Sequence, residues 1–217
     1  MVQTDYIMRI IEQFAAFLWA IVFNKKAQNY DLAIEKINEA YNGLLHINPN
    51  EIKHISVNDI IKINTHNNVP DGDAIEIIAN LLFQEADIVE RINGFNEQSL
   101  NFYQKSLELF FIIYNISIND KFCKNIDEAI TKLKNYNTGN DIVYSMYEYF
   151  CKAGLFGKAE DALFCLSEND YPGIGAEINS FYTKLLEKDD TVLESGNLPR
   201  KEIIEAMKHN GIDWGNK

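Results

Sequence analysis

Four histidines, three cysteines and a surplus of carboxylates are the side chains of this 217-residue chain best suited to metal binding or catalysis. His46, His54, His66 and His209 are not at helical ligand spacing with one another, and no local pair of Cys or His converges with them, so a zinc site is not expected. Cys123, Cys151 and Cys165 form neither a C-x-x-C pair nor an even disulfide set, and read as buried or free thiols in a reducing compartment. Asp71-Gly72-Asp73 resembles the start of a calcium loop, but the remaining ligand positions and terminal glutamate do not follow; it reads as a surface turn. Gly173-Ile174-Gly175 lacks a preceding strand and also reads as a turn. The patterns G-x-x-x-x-G-K, H-E-x-x-H, G-x-S-x-G and G-x-G-x-x-G are absent from the sequence. Most carboxylates fall on polar helix faces, as Glu35 and Glu39 do. The expectation is a non-enzyme with no catalytic residue, no metal and no cofactor.

Aromatic residues are the richer resource, with 13 Phe, 11 Tyr and 2 Trp. Tyr144, Tyr147, Tyr149 and Phe150 exceed what one buried helix face needs, and Tyr144 and Tyr147, three apart, share a face. Tyrosine combines a large apolar area with a polar tip, which suits both packing between helices and recognition of a partner. Both uses stay open here; if a groove exists, Tyr144, Tyr147 and Glu148 are the residues expected to line it.

The stretch Phe14–Phe23 is the most apolar of the chain. It is about half the roughly 20 residues of a bilayer span, and Arg9, Glu12, Gln13, Asn24, Lys25 and Lys26 interrupt it on either side. No cleavage site follows it, and it lacks the basic opposite face of an interfacial anchor. An all-round apolar helix of this kind is expected in the core or at a dimer seam, with Phe14, Phe17 and Trp19 as the self-association residues. Whether Trp19 is core or interface stays open.

These residues must be held by helices. Only 4 Pro and 11 Gly punctuate a chain that is 47% hydrophobic and 24% charged, so long helices are favoured over the many turns of a β-protein. The net charge is −12, and basic residues come in pairs such as Lys25 and Lys26 or Arg200 and Lys201. Nucleic-acid binding, which rests on neutralising phosphates, is disfavoured. Membrane association is likewise not expected, and the chain is assigned to the cytoplasm as one domain, 1–217. Helical patterns run over about 5–24, 32–45, 57–63, 74–92, 97–114, 125–136, 140–153, 157–168, 174–188 and 199–210. Asn64–Asp73 and Asn115–Asp120 read as loops, and the tail Gly211–Lys217, with Trp214, is either docked or free.

Helix pairs joined by short turns invite a search for repeats. In a tetratricopeptide unit a small residue of the second helix lets it approach the first closely. Phe156, Ala159, Leu163 and Leu166 have the required spacing, with Gly154 as turn residue. Tyr30, Ala33, Ile37 and Ala40 have it too; Ile126, Ala129, Leu133 and Tyr136 match in part, and Gly94, Ser99, Tyr103 and Ser106 weakly. Ala129 and Ala159 lie 30 residues apart, short of the usual ~34. The expected fold is all-α: antiparallel helical hairpins stacked as a degenerate, tetratricopeptide-like right-handed superhelix.

The opening Asp5-Tyr6-Ile7-Met8-Arg9-Ile10-Ile11-Glu12-Gln13, the apolar helix after it and the Tyr30–Ala40 hairpin resemble an uncharacterised bacterial family of tetratricopeptide-like proteins, a domain of unknown function. The resemblance implies a fold and supplies no mechanism. The functional expectation is a scaffold or adaptor for a protein or peptide, with a structural homodimer or a small-molecule-binding regulator as alternatives.

Overall fold

The computed structural model describes residues 2–117, 123–134, 136 and 138–209, with side chains from residue 9 onward except residue 117. It divides into two compact units, Met1–Asn137 and Thr138–Lys217. Apart from one pair of two-residue strands, the described elements are helices.

In the first unit, α1 (Val2–Lys26) and α2 (Tyr30–Leu45) pack on each other across a short turn. Two short helices follow, α3 (Pro49–His54) and α4 (Val57–Ile63). The side chain of Asn48 accepts from the Asn50 N–H ahead of α3, with Pro49 inside its first turn. Ser56 caps α4 by accepting from the Asp59 N–H at 3.1 Å, while its hydroxyl donates to the Asp59 carboxylate at 2.7 Å. Strands β1 (Thr65–His66) and β2 (Val69–Pro70) pair antiparallel where a plain loop is expected. Asn67 and Asn68 have φ of 52° and 63°, the paired left-handed conformations that match a hairpin's twist.

The central helix is α5 (Gly72–Asn93), packed by α1, α2 and α6 (Glu97–Ser117), while α7 (Cys123–Leu133) packs on α6. Asp71-Gly72-Asp73 opens α5, since the Asp71 carboxylate accepts from the Ala74 N–H at 3.0 Å. Ile75, Ile78, Ala79, Leu82 and Ala86 bury α5 completely along one face. Ser99 and Ser106 of α6 are also fully buried, and the Ser106 hydroxyl donates to the Ala79 carbonyl at 2.7 Å. A small side chain with a satisfied hydroxyl thus lets α6 lie close on α5.

In the second unit, α8 (Asn140–Lys152) and α9 (Phe156–Glu168) form a hairpin whose turn uses Gly154 at φ +72°. Then come α10 (Ile174–Leu186), α11 (Asp190–Ser195) and α12 (Arg200–His209). Gly157 at the start of α9 approaches the backbone after α11 so closely that its N–H donates to the Gly196 carbonyl at 2.9 Å. A Cβ on Gly196 would collide with the Phe156 ring. Arg200 donates to the carbonyls of Leu186 and Lys188, satisfying backbone acceptors left open at the end of α10.

Ala33, Ala129 and Ala159 are all fully buried, as are Ile37, Ala40, Ile126 and Leu166. Tyr136 departs from that pattern: it stays exposed and stacks on Phe95. Of the two placements expected for α1, core or dimer seam, the core does not describe all of it. Ile21 is fully buried, but Trp19 is 69% exposed and Phe23 55%. Helix α1 packs on α2 and α5, and among the described residues nothing buries Trp19 and Phe23. Among the described residues no helix is long and apolar enough to cross a membrane. The tail with Trp214 and the end of the 115–120 loop lie outside the described residues.

Candidate functional site

The tyrosine strip of α8 is divided three ways by packing. Tyr149 and Phe150 are core. Tyr147, 5% exposed, joins α8 to α10: its hydroxyl donates to the Glu177 carboxylate at 2.8 Å and its ring meets Phe181 edge-on at 5.9 Å. Tyr144 is half-buried and stacks on Tyr171 at 5.5 Å, while Glu148 is exposed on the flank. Burial, reinforced by Glu177, pushes the Tyr147 hydroxyl well above its usual range, so it stays a donor.

Between α8, α10 and the start of α9 lies a cleft of about 420 Å³. Tyr147, Cys151, Phe156, Phe181 and Leu185 form its floor and walls, and Lys152, Lys184, Glu187 and Lys188 ring it. Lys184 and Lys188 are exposed and form no ion pair with a described residue; the Lys188 ammonium sits 5.6 Å over the Phe156 ring. Burial pushes the Cys151 thiol up to about 11, so at neutral pH it is the unreactive protonated form. The cleft therefore offers an apolar floor with a cationic rim and no activated nucleophile among its lining residues. Phe181, Lys184 and Lys188 are not among the sequence-level candidates. Phe181 and Lys184 lie on α10 and Lys188 just beyond its end, and only folding brings them to Tyr147.

A second cluster is buried in the first unit, centred on Asp87 of α5. Its carboxylate pairs with Lys25 of α1 at 2.8 Å, Arg91 at 3.0 Å and Lys132 of α7 at 3.4 Å. Burial pushes this carboxyl up, but Lys25 and Arg91 together hold it below the usual carboxylate range. Lys132 also reaches Glu90 at 2.7 Å, and Glu90 accepts from the buried Tyr103 hydroxyl at 2.7 Å. Lys25, Lys26, Arg91, Lys124 and Lys132 thus line one cleft of about 1060 Å³ together with Asp87, Asp127 and Glu128. Basic residues that are scattered along the sequence, singly or in pairs, are gathered from three helices, with carboxylates between them.

A third cleft, about 420 Å³, lies between α1, the end of α2, the strand pair and the start of α5. His46 and His66, separated in sequence, both line it, with Asp71, Asp73 and Glu76. Among the described residues no three His, Cys, Asp or Glu side chains are grouped so as to hold a metal ion.

The fold defines an all-α protein of packed helical hairpins, two of whose clefts bring lysines together beside aromatic rings. The chain belongs to a family of unknown function, DUF6483, whose model matches residues 1–210. No curated protein and no solved structure matches the chain significantly.

Proposed function

We propose that the chain is a non-enzymatic scaffold of tetratricopeptide-like hairpins that binds an extended, acidic protein segment in the α8–α10 cleft. The observation that carries this reading is the pair Lys184 and Lys188, two exposed cations without carboxylate partners beside an aromatic floor, in a chain of net charge −12. Exposed, unpaired lysines in an acidic protein attract an anionic partner and supply on-rate and orientation. Tyr147, Phe156 and Phe181, each no more than 5% exposed, give the cleft a fixed apolar floor beneath those lysines. Tetratricopeptide-type hairpins suit such binding because the first helices of successive hairpins, here α8 and α10, present one continuous face. The buried alanines Ala33, Ala129 and Ala159 favour that hairpin type.

Capture from a lysate of the chain's own cells tests the proposal when three versions are compared. The wild type and Trp19→Ala should retain the same acidic partner, and Lys184→Glu with Lys188→Glu should lose it. Equal recovery by all three would place binding elsewhere.

A further inference from the structure

The exposed side of α1 has an internal symmetry that points to a specific occupant. Glu12, Trp19 and Lys26 are all exposed and spaced seven apart. Seven residues are close to two helical turns, so the three share one stripe, with Ala15, Ala16 and Phe23 beside it. Trp19 and Phe23 stack at 5.2 Å and 14° and remain largely exposed. Glu12 and Lys26, at the two ends of this apolar strip, form no ion pair with any described residue.

We propose that α1 pairs antiparallel with α1 of a second copy of this chain about a two-fold axis through Trp19. A two-fold interface is self-complementary, and centring it on Trp19 fixes every other match. Glu12 then faces Lys26 of the second copy, and Lys26 faces its Glu12. Phe23 faces Ala15 of the second copy, so the bulkiest ring beside the axis meets one of the smallest side chains of the strip. The two Trp19 indoles meet at the axis. A parallel pairing in register would instead set Glu12 against Glu12 and Lys26 against Lys26, and each Phe23 against the other. Opposite charges at the ends and large-to-small matching inside both select the antiparallel arrangement, and the charges fix its register. The strip covers only about four turns, less than the roughly 1,200–2,000 Å² of a standard interface, so the dimer dissociates in the micromolar range.

Sedimentation equilibrium of the full chain, with circular dichroism to verify folding, tests the pairing. The wild type should show a reversible monomer–dimer equilibrium. Trp19→Ala should abolish it. Glu12→Lys or Lys26→Glu alone should weaken it roughly ten-fold, since each sets two like-charge contacts in the symmetric interface. The double variant Glu12→Lys with Lys26→Glu should recover most of the wild-type affinity. Positions 12 and 26 of one helix are about 21 Å apart, so recovery cannot come from contact within one copy. A wild type that stays monomeric at high micromolar concentration overturns the proposal. So does a dimer that survives Trp19→Ala, or a double variant no better than the single ones.

Discussion

Helices α1 and α5 belong to one unit and invert each other's chemistry. The first leaves Trp19 and Phe23 in solvent, while the second buries Glu85 and Asp87 at 4% and 6% exposure. Each arrangement has a physical cause. The charges of α5 are tolerated because cations from other elements reach them: Lys53 of α3 lies 2.7 Å from Glu85, and Lys25 of α1 lies 2.8 Å from Asp87. A buried charge without a partner would cost several kcal/mol, so these pairs make α5 a hub that specifies where α1 and α3 dock. Among the described residues nothing comparable covers Trp19 and Phe23. Apolar burial in this unit is therefore set by what packs around a helix, and the helix's own hydrophobicity does not decide it.

Removing the hub charge should have the largest effect. Asp87→Asn leaves the nearly buried Lys25 without its anion and should cost about 3–5 kcal/mol of unfolding free energy at neutral pH, as for other broken buried pairs, measured by urea denaturation. The two carboxylates should also differ in the sign of their pH dependence. Asp87 has a lowered folded pKa, so its contribution is present above the ordinary value of 3.8 and lost as pH falls through the folded one. The gap between wild type and Asp87→Asn should thus close in acid. Burial raises the Glu85 carboxyl despite Lys53, so ionising it costs stability as pH rises past the ordinary 4.5. Wild type should lose ground to Glu85→Gln over that rise, and denaturation from pH 3 to 7 reads both trends.

Breaking the second pair from its cationic side sharpens the contrast. Lys53→Met strands Glu85 and should cost about 3 kcal/mol at pH 8, whereas adding Glu85→Gln should recover most of the loss, because removing both charges removes the desolvation cost together with the attraction. At the small end, Trp19→Ala should change the stability of the monomer by no more than about 0.5 kcal/mol, since an exposed ring contributes little to folding. A loss comparable to that of Asp87→Asn would mean that Trp19 is core, and the contrast between the two helices would fail.

Much of the helical order is legible from apolar periodicity, and α4 over 57–63 matches its expected bounds. The six-residue helices α3 and α11 escape because one and a half turns leave no period to detect. For α3 the sequence does carry a start signal, Asn48 before Pro49, which reads equally well as the stop of the preceding helix. The strand pair escapes for the same reason of length, although Asn67-Asn68 suits its turn. The burial of Glu85 and Asp87 is invisible to pattern reading, which assigns charges to solvent; the cations that neutralise them lie 32 residues or more away in the chain, apart from Arg91. At the candidate cleft, Tyr144, Tyr147 and Glu148 can be nominated from sequence, but their different fates cannot. Tyr147 is drawn into the α8–α10 seam by Glu177, Tyr144 and Glu148 do not line the cleft, and Lys184 and Lys188 reach it from more than thirty residues on.

The most direct test of the central claim, that this chain works by binding an acidic segment at the α8–α10 cleft, is a peptide-array overlay. The array would carry acidic, neutral and basic peptides, each with and without a single leucine or phenylalanine anchor. It would be probed with the wild type and with the Lys184→Glu, Lys188→Glu variant. Selective retention of acidic, anchored peptides by the wild type, and its loss in the variant, is the predicted result. Binding that ignores peptide charge, or that survives reversal of both lysines, would contradict the account.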